Sequence, residues 1–141
     1  MNIFNFFFKN HWKITTPHIP IGISLEAGLA ILQSKNNNVI KEIENNELCY
    51  RINTQVFSIA IFITKKKVSS VWFDDPFGRK TASGRKFKIE SYLARYGNLS
   101  NWEKRMNNNW MEYYYNPIDK VSMVYGIHND VIRFNEFEEI Q

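Results

Sequence analysis

The best candidates for acid–base chemistry lie near the end of the chain, where His128, Asp130 and Arg133 are close together in sequence. A ribonuclease uses one or two histidines with a cation. The segment from Gly126 to Asp130 is also typical of a plain turn between strands, and turn histidines are far commoner than catalytic ones. Motifs of the types Gly-x-Ser-x-Gly, His-Glu-x-x-His and Gly-x-Gly-x-x-Gly are absent from the sequence. We therefore expect no enzymatic activity, with a small nuclease centred on His128 as the less favoured alternative.

Two further groups of residues could bind a metal ion or act as a nucleophile. Asp74 and Asp75 form a carboxylate pair before Pro76, and such pairs can bind divalent cations. Because Asp before Pro favours a turn, we expect a turn in which one carboxylate pairs with Arg79. Cys49 is the only cysteine, so neither an intramolecular disulfide nor a cysteine-based zinc site can form. We expect no metal ion or cofactor.

A basic segment lies between residues 79 and 88. It contains five cations and no acid: Arg79, Lys80, Arg85, Lys86 and Lys88. The segment includes Gly84 and leads into a predicted helix, and helix N-termini with glycine-rich backbone attract anions. It lacks the P-loop spacing. The possible interpretations are a solvated surface loop, a contact to the acidic surface of a partner, and a small nucleic-acid-binding or phosphate-binding module.

An aromatic set lies on a predicted hairpin and consists of Trp110, Tyr113, Tyr114, Tyr115 and Tyr125. One face of the hairpin must build the core, and the other is suited to binding a partner protein. Exposed aromatics can also stack on single-stranded bases, but no RNP-type motif is present, so we favour protein over RNA. The predicted partner-binding residues are Asp74, Asp75, Arg79, Lys80, Arg85, Lys86, Trp110, Tyr113 and Tyr115.

Composition limits the class of protein to which the chain can belong. The 141 residues are 44% hydrophobic and 16% aromatic, which predicts one folded domain spanning residues 1–141. No apolar run approaches the ~20 residues that span a bilayer, and the apolar run at the N-terminus is too short for a signal peptide. The single cysteine fits a reducing compartment, so we expect a cytoplasmic protein. The net charge of +4 permits an anionic partner without requiring one.

Hydrophobic periodicity predicts two helices and several strands. One helix begins after the N-cap Ser24 and ends near Lys35, and a second carries Ile89, Tyr92, Leu93 and Tyr96 and ends at Gly97. The predicted strands are 39–44, 47–53, 55–64, 68–73, 110–115, 121–125 and 130–134, with a possible edge strand within 1–14, a polar loop at 74–86 and a helical turn at 102–106. No internal repeat is visible. The order predicts an α+β fold, an antiparallel sheet of about five to seven strands with two helices packed on one face.

Three stretches resemble the bacterial immunity proteins of polymorphic and contact-dependent toxin systems. They are Ser70-Val-Trp-Phe-Asp-Asp-Pro-Phe-Gly-Arg79, Tyr92-Leu-Ala-Arg-Tyr-Gly97 and Val124-Tyr-Gly-Ile-His-Asn-Asp-Val-Ile-Arg-Phe134. The resemblance implies a non-catalytic cytoplasmic protein that binds one cognate toxin domain stoichiometrically and neutralises it. Inhibitors of basic nuclease toxins are usually acidic, whereas this chain is basic. The resemblance therefore implies either an acidic contact surface on the toxin or an interface at the acidic patch of Glu42, Glu44 and Glu47.

Overall fold

Two helices and eight strands make up residues 14–137, the part of the chain that the structure, a computed structural model, describes. In chain order they are α1 (Leu25–Lys35), β1 (Ile40–Glu44), β2 (Glu47–Asn53), β3 (Ser58–Thr64), β4 (Lys67–Asp74), α2 (Ala82–Arg95), β5 (Glu103–Asn107), β6 (Met111–Asn116), β7 (Val121–Gly126) and β8 (Val131–Glu136). A short 3₁₀ helix, Leu99–Asn101, connects α2 to β5.

All eight strands form one antiparallel sheet in the order β1-β2-β3-β4-β8-β7-β6-β5. Each half of the sheet is a meander of four consecutive strands, and each meander follows a helix. The pattern of one helix and four strands therefore occurs twice, and the last strands of the two halves, β4 and β8, pair at the centre. This repeat concerns the order of the elements and was not visible in the sequence.

The predicted α+β class, with one antiparallel sheet and two helices, is confirmed, but the sheet has eight strands rather than five to seven. The helical turn expected at 102–106 is wrong, because Glu103–Asn107 is the edge strand β5. Its five residues are all exposed, so no alternation of apolar and polar side chains marked it as a strand. The edge strand expected within 1–14 lies outside the described residues apart from Ile14, which belongs to no strand.

Helix α2 begins earlier than the sequence indicated. The segment 74–86 was expected to be a loop, but Thr81 caps the helix by accepting a hydrogen bond from the Gly84 amide at 2.9 Å, and the helix starts at Ala82. Ser83 and Gly84 are weak helix formers, which hid this first turn. Arg85, Lys86 and Lys88 therefore lie on a helix rather than in a loop. At the other end, Gly97 has a φ of 134° and follows the helix as predicted.

Both helices pack on the same face of the sheet, which we call the helix side. The side chains of Ile61 and Val68 lie against Gly28 of α1, and the ring of Tyr92 in α2 is 4.9 Å from that of Phe73. Phe73 pairs with Ile59, which shares a face of β3 with Ile61. Ile59 and Ile61 of the predicted strand 55–64 are fully buried, and Tyr92 and Tyr96 of the predicted second helix are buried in the core.

The free energy of unfolding should decrease at alkaline pH because the protein buries several tyrosines. The pKa values of Tyr92, Tyr96 and Tyr125 are raised above the ordinary 10.0, first of all by burial. Burial, followed by the charge of Glu112, raises the pKa of Tyr114 to about 12. The folded protein therefore holds protons that the unfolded chain releases, so this contribution to stability is fully present below about pH 10 and is lost as the pH rises above it. We expect the urea midpoint to fall steeply between about pH 10 and about pH 12; a constant midpoint would contradict this.

The turn before α2 depends on a glycine at position 78. Gly78 has a φ of 72°, and a Cβ there would collide with the backbone carbonyl of Gly84. We expect Gly78→Ala to lower the free energy of unfolding by about 2–3 kcal/mol, from left-handed strain and overpacking together. Gly22 is the matched control, because its φ is 93° but a Cβ added there would meet no atom within 4 Å. Equal losses in Gly78→Ala and Gly22→Ala, measured by urea denaturation, would show that the close contact contributes nothing.

Candidate functional site

Two rows of side chains cross the sheet on the face opposite the helices, which we call the open face. In sheet order from β1, the first row is Glu42, Cys49, Phe62, Ser70, Asn135, Ser122, Tyr115 and Glu103, and the second is Ile40, Arg51, Ala60, Trp72, Arg133, Val124, Tyr113 and Met106. Cys49, Ala60 and Phe62 form a small buried cluster beside Trp72. Several longer side chains on this face, including Trp72, Tyr113, Tyr115 and Arg133, are only half-buried.

Three arginines of the open face lie over aromatic rings. The guanidinium carbon of Arg51 is 4.9 Å from the ring centroid of Trp72, that of Arg133 is 4.0 Å from Phe62, and that of Arg105 is 4.9 Å from Tyr115. Such stacking favours a cation electrostatically and leaves the edges of the guanidinium able to donate hydrogen bonds. It also restricts the rotamers of the arginines, which lowers the entropy lost when they contact a partner.

Each of the three arginines also contacts a carboxylate. The distances are 3.7 Å from Arg51 to Glu42, 3.4 Å from Arg51 to Glu44, 3.4 Å from Arg133 to Glu47 and 3.2 Å from Arg105 to Glu103. The open face therefore presents charges of both signs in close pairs. Its charge pattern differs from that of a phosphate-binding surface, in which cations stand without acids beside them.

A polar network fixes the centre of the open face. The Nε–H of Arg133 donates to Ser70 Oγ at 2.7 Å and to Asn135 Oδ1 at 3.1 Å, and the Ser70 hydroxyl donates to the same Asn135 oxygen at 2.8 Å. Arg133 thus contacts the ring of Phe62 with its face, donates to Ser70 and Asn135 from Nε, and pairs with Glu47 through Nη2. A side chain held on three sides keeps one conformation before it meets a partner.

The only cluster of possible metal ligands among the described residues is Glu42, Glu44 and Cys49, whose ligand atoms lie within 4.8 Å of one another. Arg51 pairs with both carboxylates. Burial raises the pKa of the Cys49 thiol, which disfavours the thiolate that a metal or a nucleophilic reaction needs. The arrangement therefore fits an ion-pair cluster better than a metal site.

An apolar pocket of about 380 Å³ opens at one end of the open face. Its walls include Trp72, Trp110, Met111, Val124, His128 and Val131. The Trp110 side chain is 67% exposed, and its ring lies 4.9 Å from that of His128. Exposed aromatic rings around an apolar hollow are suited to receive one anchoring side chain of a binding partner.

The predicted partner-binding residues fall into separate parts of the molecule. Trp110, Tyr113 and Tyr115 come together on the open face. Asp74 pairs with Arg79 at 3.2 Å in the predicted turn, where Lys80 is exposed, at the end of the sheet. Arg85 and Lys86 lie on α2 beside Tyr125 and Tyr114, on the helix side. Asp75 is 1% exposed, so its side chain lies beneath the surface.

A buried ionic cluster lies at the end of the sheet where the turn with Asp74 and Arg79 is found. No pattern in the sequence indicated this cluster. Lys88 is 1% exposed, and its Nζ lies 2.6 Å from Asp130 Oδ2 and also donates to the Asp75 carbonyl. The other oxygen of Asp130 accepts a hydrogen bond from the Tyr125 hydroxyl at 2.7 Å, and Arg79 Nε donates to Oδ2 at 3.1 Å. The cluster joins α2 to the turns that precede α2 and β8.

Asp75 extends this cluster toward the segment that precedes the first helix. Its Oδ2 accepts a hydrogen bond from the Tyr92 hydroxyl at 2.8 Å, and its Oδ1 accepts from the Phe77 amide at 3.0 Å. The Tyr92 hydroxyl in turn lies 2.7 Å from Thr16 Oγ1. Both aspartates are therefore fully occupied in holding neighbouring segments together.

The residues considered for acid–base chemistry do not meet. His128 is exposed and its ring packs against that of Trp110 at an angle of 59°, whereas Asp130 points into the buried cluster. Within residues 14–137 no hydrogen bond joins His128 to Asp130, and Arg133 is engaged on the open face. Among these three residues there is therefore no base that is positioned by a neighbouring acid.

Neither helix of the described segment has the length and apolar character needed to cross a bilayer. No protein-family model, no curated protein and no solved structure matches the chain.

Proposed function

We propose that this protein binds another protein stoichiometrically through its open face and acts as a non-catalytic, cytoplasmic inhibitor of a cognate bacterial toxin domain. The observation that carries the binding proposal is the set of arginines over aromatic rings, beside the exposed Trp110 and the half-buried Tyr113 and Tyr115. The toxin as partner rests on the resemblance of the sequence to immunity proteins.

The residue types on the open face and their fixed conformations support binding to a protein. Trp, Tyr and Arg are the side chains most enriched at binding hot spots. On the open face they are held in place by stacking and by the hydrogen bonds of Arg133. Preorganisation of this kind lowers the entropic cost of association.

The size of the open face also suits a protein partner. With strands about 4.8 Å apart and about six residues of about 3.3 Å each, eight strands cover roughly 34 by 20 Å. This flat footprint is about 700 Å², which is of the same order as the ~800 Å² of accessible surface that each partner contributes to a standard interface.

The charge pattern indicates a partner surface with mixed charges rather than a polyanion. The carboxylates of Glu42, Glu44, Glu47 and Glu103 would repel phosphates that approach the neighbouring arginines. A protein surface can instead place a cation near each carboxylate and an acceptor at each guanidinium edge. The acidic patch of Glu42, Glu44 and Glu47 thus belongs to the proposed interface.

Co-expression with the product of the neighbouring reading frame, tested as the cognate toxin, examines the proposed function. We expect growth to be restored, a 1:1 complex in size-exclusion chromatography, and no turnover of nucleic acid by the protein alone. Restored growth without a complex would contradict a stoichiometric mechanism. Oligonucleotide binding that weakens steeply with salt, together with no toxin complex, would favour the nucleic-acid-binding alternative.

A further inference from the structure

A second concave feature lies on the helix side, between α2 and strands β5 to β7. It is a groove of about 650 Å³. Its apolar lining comes from Ile89, Leu93, Leu99, Trp102, Tyr114 and Tyr125. The groove lies on the opposite side of the sheet from the open face, so it is separate from the proposed protein interface.

The groove exists because the two halves of the sheet are covered differently. Helix α1 lies close to β2, β3 and β4, with Gly28 packed against Ile61 and Val68. Helix α2 makes its close backbone approach to the 3₁₀ turn rather than to the strands of its own half. The ring of Tyr114 on β6 is therefore only half-buried, and Leu99 of the 3₁₀ helix is 45% exposed. Uncovered apolar surface of this kind typically marks a place where something binds.

The walls of the groove are apolar because their polar atoms bond elsewhere. The indole N–H of Trp102 donates to the Leu93 carbonyl at 3.0 Å, and the Tyr125 hydroxyl donates to Asp130 at 2.7 Å. The pKa of Tyr114 is raised to about 12, so its phenol is neutral at physiological pH. These rings therefore offer apolar surface to a ligand and add no negative charge.

The charges of the groove are distributed unevenly along it. At the end formed by the first turns of α2, Arg85 and Lys86 have no carboxylate partner within residues 14–137, and the first turn of α2 contains no acid. Arg85 donates one hydrogen bond to the Arg79 carbonyl at 3.0 Å, which leaves its positive charge uncompensated. Farther along, Lys104 neutralises Glu112 at 2.5 Å, and Glu90 is the remaining acid.

We propose that this groove binds a small amphipathic anion, with its apolar chain or ring against Trp102 and Tyr114 and its carboxylate-type head near Arg85 and Lys86. The helix N-terminus adds to the attraction of the two cations for the head group. The volume lies within the ~300–1,000 Å³ typical of small-molecule sites. The apolar lining with a few polar groups at one end has the composition of such sites.

NMR titration with decanoate, below its micelle concentration, tests the proposal. The indole N–H signal of Trp102 reports on the groove, while those of Trp72 and Trp110 report on the apolar pocket of the open face. We expect saturable shifts at Trp102 with little change at the other two. Shifts at Trp72 and Trp110 alone, or no saturable binding, would overturn the proposal.

Two comparisons test the charge of the ligand. Nonyltrimethylammonium carries the same nine-carbon chain with a cationic head, and we expect it to bind about tenfold more weakly than decanoate. In the second comparison, the double variant Arg85→Glu with Lys86→Glu should bind decanoate about tenfold more weakly than the parent protein. Thermal unfolding of the variant must match that of the parent for this comparison to count. If the unaltered protein bound both probes with equal affinity, the groove would bind ligands through apolar contacts alone and the anion assignment would be overturned. This outcome does not depend on whether the variant folds.

Discussion

Replacing Asp130 with Asn is expected to lower the free energy of unfolding by about 3 kcal/mol. Lys88 would remain 1% exposed and lose the carboxylate that lies 2.6 Å from its ammonium group. Breaking a buried ion pair from one side costs about 3–5 kcal/mol, because an uncompensated charge stays in a medium of low dielectric constant. Asn is the suitable replacement because position 130 has a φ of 57°, which Asn tolerates better than Ala. Urea denaturation measures the change.

Two further variants separate the buried charge from general damage. Asp74→Asn removes an ion pair in which both side chains are more than two-fifths exposed, and such pairs contribute ~0–1 kcal/mol. Lys88→Met combined with Asp130→Asn removes both buried charges, so it should be less destabilised than Asp130→Asn alone. If Asp130→Asn were no less stable than Asp74→Asn, the cluster would have no structural role.

Replacing Trp110 and Tyr113 together with Ala is expected to weaken binding of the cognate toxin domain by about 100-fold or more. Hot-spot truncations cost about 2 kcal/mol or more, and each 1.4 kcal/mol is tenfold in affinity. Trp110 is 67% exposed and Tyr113 is half-buried on the open face, so most of the effect should appear in affinity rather than in stability. Isothermal titration calorimetry measures the affinity, and thermal unfolding shows whether the variant remains folded.

The matched control for this prediction lies on the helix side. Leu99 and Arg85 line the groove beside α2, and Leu99 is 45% exposed. We expect Leu99→Ala with Arg85→Ala to change the affinity for the toxin domain by less than about threefold. A larger loss in this control than in the open-face variant would place the interface on α2, where the basic segment lies.

The helix cap, the first hairpin turn and the central strand were predictable from the sequence, because each depends on residues that are close together in the chain. Ser24 caps α1, and Asn45-Asn46 adopt the positive φ angles of 51° and 65° that a two-residue hairpin turn needs. In the predicted strand 55–64 the face opposite Ile59 and Ile61 carries small or apolar residues such as Ala60 and Phe62, which indicated a central strand, and both faces are buried. These features depend on residues within a few positions of one another.

Features that depend on distant partners were not predictable. Lys88 looked like a surface cation, and its burial requires Asp130, which is 42 positions away. The alternation of residues 113–115 indicated two faces for the hairpin, but only the sheet order shows that Tyr113 and Tyr115 share a face with Trp72 and Arg133. The same order separates these aromatics from Arg85 and Lys86, which were predicted as partner-binding residues together with them.

The most direct test of the proposed interface is cross-saturation NMR on the complex with the toxin domain. The indole N–H groups of Trp72 and Trp110 lie at the open face, and that of Trp102 lies at the groove on the helix side. Irradiation of the toxin domain should reduce the signals of Trp72 and Trp110 and leave that of Trp102 unchanged. Saturation of Trp102 without an effect at Trp72 and Trp110 would contradict binding through the open face.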